Sequence, residues 1–167
     1  MVEGRAPDIH RERTMTARPA LVSPGGYTVP AVSLVLAAVF VCAGAEKMRD
    51  MLQFADNIAA FRILPAALIN LLALALPPYE IACGVLLLWP TTRRLGALAI
   101  ALLSMMFFAA LSSALLRGLT LDCGCFGSSA PSRPMMWLEL AFNVVFILGA
   151  LFVYLRQWRL VQQGRPA

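Results

Sequence analysis

Four stretches of about twenty mostly apolar residues dominate this chain, and each is long enough to cross the hydrocarbon core of a bilayer as a helix. They are YTVPAVSLVLAAVFVCAGA (27–45), ALINLLALALPPYEIACGVLLLW (67–89), LGALAIALLSMMFFAALSSALL (95–116) and MMWLELAFNVVFILGALFVYL (135–155). Backbone groups in lipid must find their hydrogen bonds internally, which a helix provides and an open strand does not. The expected fold class is therefore an all-α membrane protein, a four-transmembrane-helix bundle. Composition agrees: 60% of residues are hydrophobic and 14% charged, against about half and a quarter in an ordinary soluble domain. The net charge of +5 does not point to nucleic acid, because the basic residues flank the apolar runs, where they anchor helices and set topology.

Residues 1–27 are polar and rich in Arg, with Gly25-Gly26 near the end, and read as a disordered N-terminal tail. Met15 is a second candidate start. The first apolar run is long and is followed by EKMRD rather than a small-residue cleavage site, which favours a retained helix over a signal peptide. Residues 28–155 form the membrane domain and 156–167 a basic tail. With the N-terminus inside, nine Lys and Arg residues flank the cytoplasmic side and five the outer side; counted from Met15 the figures are six and five. The bias places both termini in the cytoplasm and the 117–134 connection outside, in a bacterial-type plasma (inner) membrane.

Between the first two spans, Met48, Met51, Leu52, Ala55, Ile58 and Ala59 recur at helical spacing. Arg49, Asp50, Gln53, Asp56 and Asn57 fill the opposite side. The pattern predicts an outer amphipathic helix lying on the membrane surface, either capping the bundle or forming a platform beside the outer connection.

That connection, RGLTLDCGCFGSSAPSRP, carries Cys123 and Cys125. Cysteines two apart reach disulfide range only where the chain bends between them, and Gly124 permits the bend. The ring is small and strained, and strain with exposure makes a disulfide labile. It closes almost no loop, so it adds little stability. A permanent local staple, half of a metal site and two ordinary thiols are the competing readings. No histidine or third cysteine lies nearby, since the sole histidine is His10, so no metal ligands are assigned. Exchange chemistry is favoured. Cys42 and Cys83 differ in depth by roughly 20 Å at helical rise, too far to pair, and read as small core hydrophobes.

The landmarks AGAEKMRD, FRILP, LPPYEIACGVLLL and RGLTLDCGCFG follow one another in order. Together they resemble the MauE branch of the DoxX-like membrane proteins over roughly residues 28–155. The resemblance carries over to Glu46, Lys47, Glu80, Cys123, Cys125, Phe126 and Gly127. It implies four helices and an outer C-x-C-F-G element. It also implies a role in methylamine utilisation, in maturing the disulfide-rich small subunit of methylamine dehydrogenase with a thioredoxin-like partner.

Ionisable groups within spans are functional candidates. Glu80, after Pro77-Pro78 and with no Lys or Arg in any span interior, is expected to be protonated and hydrogen-bonded to Asn70, Tyr79, Asn143 or a carbonyl freed by the prolines. It is a candidate to carry a proton, to help bind a quinone or to fix helix packing. Glu46 and Glu139 lie near the outer ends of the first and fourth spans, with Lys47 a candidate partner for Glu139. Asp122 precedes the cysteine pair, and Arg117 is its candidate counter-charge. Asp122, Gly124, Phe126 and Gly127 are the supporting residues of the cysteine element. Ser104, Phe108 and Ser112, and the small residues Ala37, Ala38, Gly44, Gly84 and Gly96, fit close helix packing.

The sequence thus points to a component of a thiol–disulfide oxidoreductase system without a complete active site of its own. Its partners are the lipid bilayer, a thioredoxin-fold protein and a disulfide-containing client; a quinone is the candidate electron acceptor. The alternative is a non-redox scaffold or small-solute permease whose loop disulfide is structural.

Overall fold

The computed structural model describes residues 27–120 and 133–162, and the Cys123–Gly124–Cys125 element with Asp122, Phe126 and Gly127 lies outside the described residues. The described residues form α1 (Thr28–Arg49), α2 (Met51–Ala60), α3 (Ala66–Leu86), α4 (Arg93–Leu116) and α5 (Arg133–Gln162). All but α2 are long and apolar enough to span a membrane, so the four expected spans are present and the chain is a multi-pass membrane protein.

The most extensive helix contacts are α4 with α5 and α1 with α3; contacts of α3 with α4 and of α1 with α5 join the two pairs. Close approach of α1 to α3 depends on two glycines. A Cβ on Gly44 would lie 2.8 Å from the Pro77 carbonyl oxygen and 2.8 Å from Ile81 Cγ1. One on Gly84 would lie 2.9 Å from Val41 Cγ2 and 3.0 Å from the Ala37 oxygen. Small residues here let backbones touch, which is how helices associate where lipid removes the usual hydrophobic drive. The core runs through Leu36, Phe40, Cys83, Leu87, Ile100, Leu103 and Val153. Outward-facing leucines such as Leu34, Leu71, Leu98 and Leu148 are exposed, as a lipid-facing surface requires.

The helix between the first two spans exists as α2, and the residue it buries most deeply is one the spacing did not single out. Phe54 is its buried residue, whereas Leu52 is 82% exposed and Met48 is also exposed. Ala55 and Ile58 of the apolar side pack against the core, and Asp50, Gln53 and Asp56 of the polar side are exposed. Apolar spacing marks lipid-facing and core-facing residues alike, so it did not separate Leu52 from these or single out Phe54. Asp50, with φ −135° and ψ 79°, breaks the helix after Arg49, and its side chain accepts from Gln53 N at 2.9 Å to cap α2. The far end of α2 is tied to α4, where the Arg117 guanidinium donates to the Phe61 carbonyl at 2.6 Å.

At the opposite end of the bundle, Thr92 and Arg93 donate to the carbonyls of Leu86 and Leu87 at 2.8 and 3.1 Å, satisfying the last turn of α3. The Arg94 guanidinium lies 4.1 Å from the Trp158 ring centroid and 5.1 Å from that of Tyr154, a cation–π clamp between α4 and α5.

Cys42 and Cys83 are free. Cys83 is buried as expected; Cys42 is exposed, so it does not pack in the core.

Candidate functional site

The described residues concentrate their buried charge in one place. Lys47 lies two residues before the end of α1, and Glu80 lies fourteen residues into α3, about 21 Å along that helix. They meet because α1 ends beside the middle of α3: Gly44, one turn before Lys47, faces Pro77, Glu80 and Ile81. Lys47 Nζ donates to both Glu80 carboxylate oxygens, at 2.6 and 2.8 Å. Each side chain is 2% exposed.

This corrects the expectation that no basic group reaches Glu80. Lys47 neutralises it, and Glu80 is therefore a paired carboxylate rather than an isolated acid. Asn70 and Tyr79 are exposed and turn away from the pair. Asn143 comes close but donates its amide to the Glu139 backbone carbonyl at 3.0 Å.

Aromatic faces close over the ammonium. Its nitrogen lies 5.5 Å from the Phe54 ring centroid and 5.1 Å from that of Phe107, within cation–π range. Phe54 comes from α2, so the short helix supplies part of the wall of this site. Neither phenylalanine was singled out by the sequence.

Beside the pair is a cavity of about 40 Å³ lined from α1, α3, α4 and α5, with Ser104, Glu139, Asn143 and Phe146 among its walls. Glu139 is 4% exposed and thus shares the cavity with Lys47 and Glu80, not merely the outer end of its span. Glu46, by contrast, is exposed and pairs with Arg49 at 3.1 Å on the surface, apart from the buried group. The structure thus brings Glu80 and Glu139 together with Lys47 and leaves Glu46 outside. Arg117 donates to Phe61 and to the Ser113 carbonyl; its proposed counter-charge, Asp122, lies outside the described residues.

A second cavity of about 230 Å³ lies between α2, α3 and α4, with Ile58, Leu72, Leu76, Met106 and Phe107 in its walls. Phe107 borders both cavities. The first has room for roughly two or three waters, and the side chains that line the second are apolar.

Comparison with known proteins adds a family relationship. Residues 25–156 match the family described as methylamine utilisation protein MauE. The chain is 36% identical over 124 residues to the methylamine utilization protein MauE of Paracoccus denitrificans, covering 74% of this chain and 66% of the relative. It is 37% identical over 94 residues to that of Methylophilus methylotrophus, covering 56% and 50%. Against that of Paracoccus versutus it is 35% identical over 117 residues, covering 70% and 62%. The matched segments thus span half to two thirds of these relatives' own lengths. No solved structure matches the chain.

Proposed function

The chain belongs to the MauE family, and from that premise we propose that it serves methylamine utilisation as a membrane-embedded partner in thiol–disulfide exchange, with Cys123 and Cys125 as the exchanging groups. The observation that carries this reading is the placement of two cysteines, one glycine apart, in the polar segment between two membrane-spanning helices, α4 and α5.

In the reducing direction the Cys123 thiolate attacks a sulfur of a partner disulfide. A mixed disulfide forms and one partner thiolate leaves. The Cys125 thiolate then attacks Cys123 and expels the second partner thiolate. The sum is transfer of two electrons: the partner disulfide becomes a dithiol, and the cysteine pair becomes a disulfide. Run in reverse, the same steps oxidise the partner. Gly124 permits a bend between the two cysteines, and Asp122, Phe126 and Gly127 flank the pair in the sequence. A thioredoxin-fold protein is the electron-exchange partner, and a disulfide-rich protein, such as a small subunit of methylamine dehydrogenase, is the client. The location is the bacterial plasma membrane, with both termini cytoplasmic and the cysteines outside, where disulfides persist.

A Cys125→Ser chain expressed in intact cells tests the reading. The expected result is a mixed disulfide through Cys123, visible on non-reducing gels, containing a thioredoxin-fold protein and absent from the Cys123→Ser/Cys125→Ser chain. Absence of any adduct, with the pair permanently oxidised in the parent chain, would support a purely structural disulfide instead. Labelling of the pair only by reagents that enter the cytoplasm would refute the orientation.

A further inference from the structure

We propose that the cavity of about 230 Å³ between α2, α3 and α4 binds one anionic phospholipid, with an acyl chain in the cavity and the phosphate between Arg62 and Arg117. The site does not involve the cysteines, and the proposal stands or falls separately from the thiol reading.

The walls define the apolar part of the ligand. Every side chain that lines the cavity is apolar, with Leu72 and Leu76 from α3 and Met106 and Phe107 from α4. Water finds no side-chain partner there, and apolar cavities of about 150 Å³ already stay dry and take up hydrocarbon. Met106 is 47% exposed and Ile63 is 50% exposed, so the walls reach the lipid-facing surface. Leu76 lies ten residues past Ala66, the start of α3, and Phe107 nine residues before Leu116, the end of α4. At helical rise the cavity therefore reaches roughly 15 Å below the helix ends. That is about half of a hydrocarbon core of about 30 Å, the depth of one leaflet's chains. The end of the chain would meet Phe107, whose ring centroid lies 5.1 Å from the Lys47 ammonium.

The rim defines the charged part. Arg62 stands between Phe61 and Ile63, which both line the cavity, and four residues before α3 begins. Arg117 directly follows α4 and donates to the Phe61 carbonyl at 2.6 Å and to the Ser113 carbonyl at 3.2 Å. A guanidinium has further N–H groups for an anion. The Arg133 guanidinium lies 3.9 Å from where a Cβ on Gly118 would sit, which brings a third cation to this end of the bundle. All three arginines are exposed, and among the described residues none forms a salt bridge with an acid. Glu46 pairs with Arg49, and Asp50 caps α2. Guanidinium groups match phosphate geometry, and basic residues at the head-group level attract anionic lipid. A free phosphate would meet the rim and leave the cavity empty.

The backbone at Arg62 supports the same reading. Its φ of 51° is a conformation that glycine adopts without steric cost. An arginine held there costs stability, and such costs cluster where a side chain is used.

The test uses the full chain in phosphatidylcholine nanodiscs doped with phosphatidylglycerol that carries a photoactivatable acyl chain, with cross-links mapped by peptide mass spectrometry. The expected result is saturable labelling of Leu72, Leu76 or Met106. Unlabelled phosphatidylglycerol should compete, and inorganic phosphate or a long-chain quinone should not. Arg62→Gly, which leaves the cavity walls in place, should weaken labelling about fivefold, and Arg62→Lys should retain most of it. Ala110→Phe, which fills the cavity, should abolish it. Cys123→Ser/Cys125→Ser should label as the parent does. Labelling no greater than at Leu148, an exposed residue of α5, reports bulk lipid only and overturns the proposal. Competition by the quinone or by free phosphate, or undiminished labelling of a folded Arg62→Gly chain, also overturns it. Should Ala110→Phe fail to fold, Arg62→Gly decides: parental labelling in that variant is the refuting result.

Discussion

Removing Lys47 alone should damage this protein more than removing its partner. At the 2.6–2.8 Å separations seen between Nζ and the Glu80 oxygens, an effective dielectric constant of about 20 gives an attraction of about 6 kcal/mol. Desolvating the two ions costs several kcal/mol each, so the pair as a whole contributes little net stability. Breaking it is another matter, because the survivor stays buried without compensation, at about 3–5 kcal/mol. Lys47→Met leaves Glu80 and Glu139 facing one cavity with no cation in its walls, which puts it at the upper end of that range. Glu80→Met leaves Lys47 beside Glu139, a substitute carboxylate in the same cavity, and should fall at or below the lower end. The Lys47→Met/Glu80→Met double variant removes the pair and should recover most of the loss, giving a coupling energy of at least about 3 kcal/mol. Equilibrium unfolding in mixed micelles, followed by helical circular dichroism, measures all four corners of the cycle. A Lys47→Met chain within about 1 kcal/mol of the parent would falsify this account. So would a double variant no more stable than Lys47→Met.

Three further outcomes follow from packing and backbone geometry. Gly44→Ala should destabilise by about 1–3 kcal/mol, since the added methyl meets the Pro77 backbone and Ile81 at 2.8 Å; the same unfolding assay reads it, and an unchanged midpoint counts against the α1–α3 contact. Arg62 closes α2 in the left-handed region at φ 51°, so Arg62→Gly should stabilise by up to about 1 kcal/mol, visible as a higher melting temperature. Arg117→Met removes the 2.6 Å bond to the Phe61 carbonyl and should speed hydrogen exchange at the end of α2 while leaving the α4–α5 pair protected.

The spans were legible because length and hydropathy alone decide what crosses a bilayer. The Lys47–Glu80 contact was not, because it depends on how far α1 slides along α3, and hydropathy is blind to that offset. A usable signal did exist. Gly44 and Lys47 are three apart and Glu80 and Gly84 four apart, so each helix carries a small residue and a charge on one face. Small residues mark where helices touch, and a charge beside them marks what the contact buries. Phe54 escaped notice for a different reason. Its neighbours on α2 are also apolar, and a lipid-facing leucine such as Leu52 has the same sequence signature as a core residue. Ser104 was visible as a small residue on a packed face, but its place in a cavity wall emerges only once α5 brings Glu139 and Asn143 alongside.

The place of Lys47 close to the end of α1 bears on how such a chain is made. A lysine two residues from a helix terminus can stretch its ammonium to the lipid head groups as the helix enters the bilayer, so synthesis need not carry a bare charge into hydrocarbon. On that route the ammonium would leave the head-group layer when α3 arrives with the carboxylate it pairs with. Sealing this charge inside is thus an event of assembly rather than of insertion, and a nascent chain halted before α3 would still hold its lysine at the water's edge.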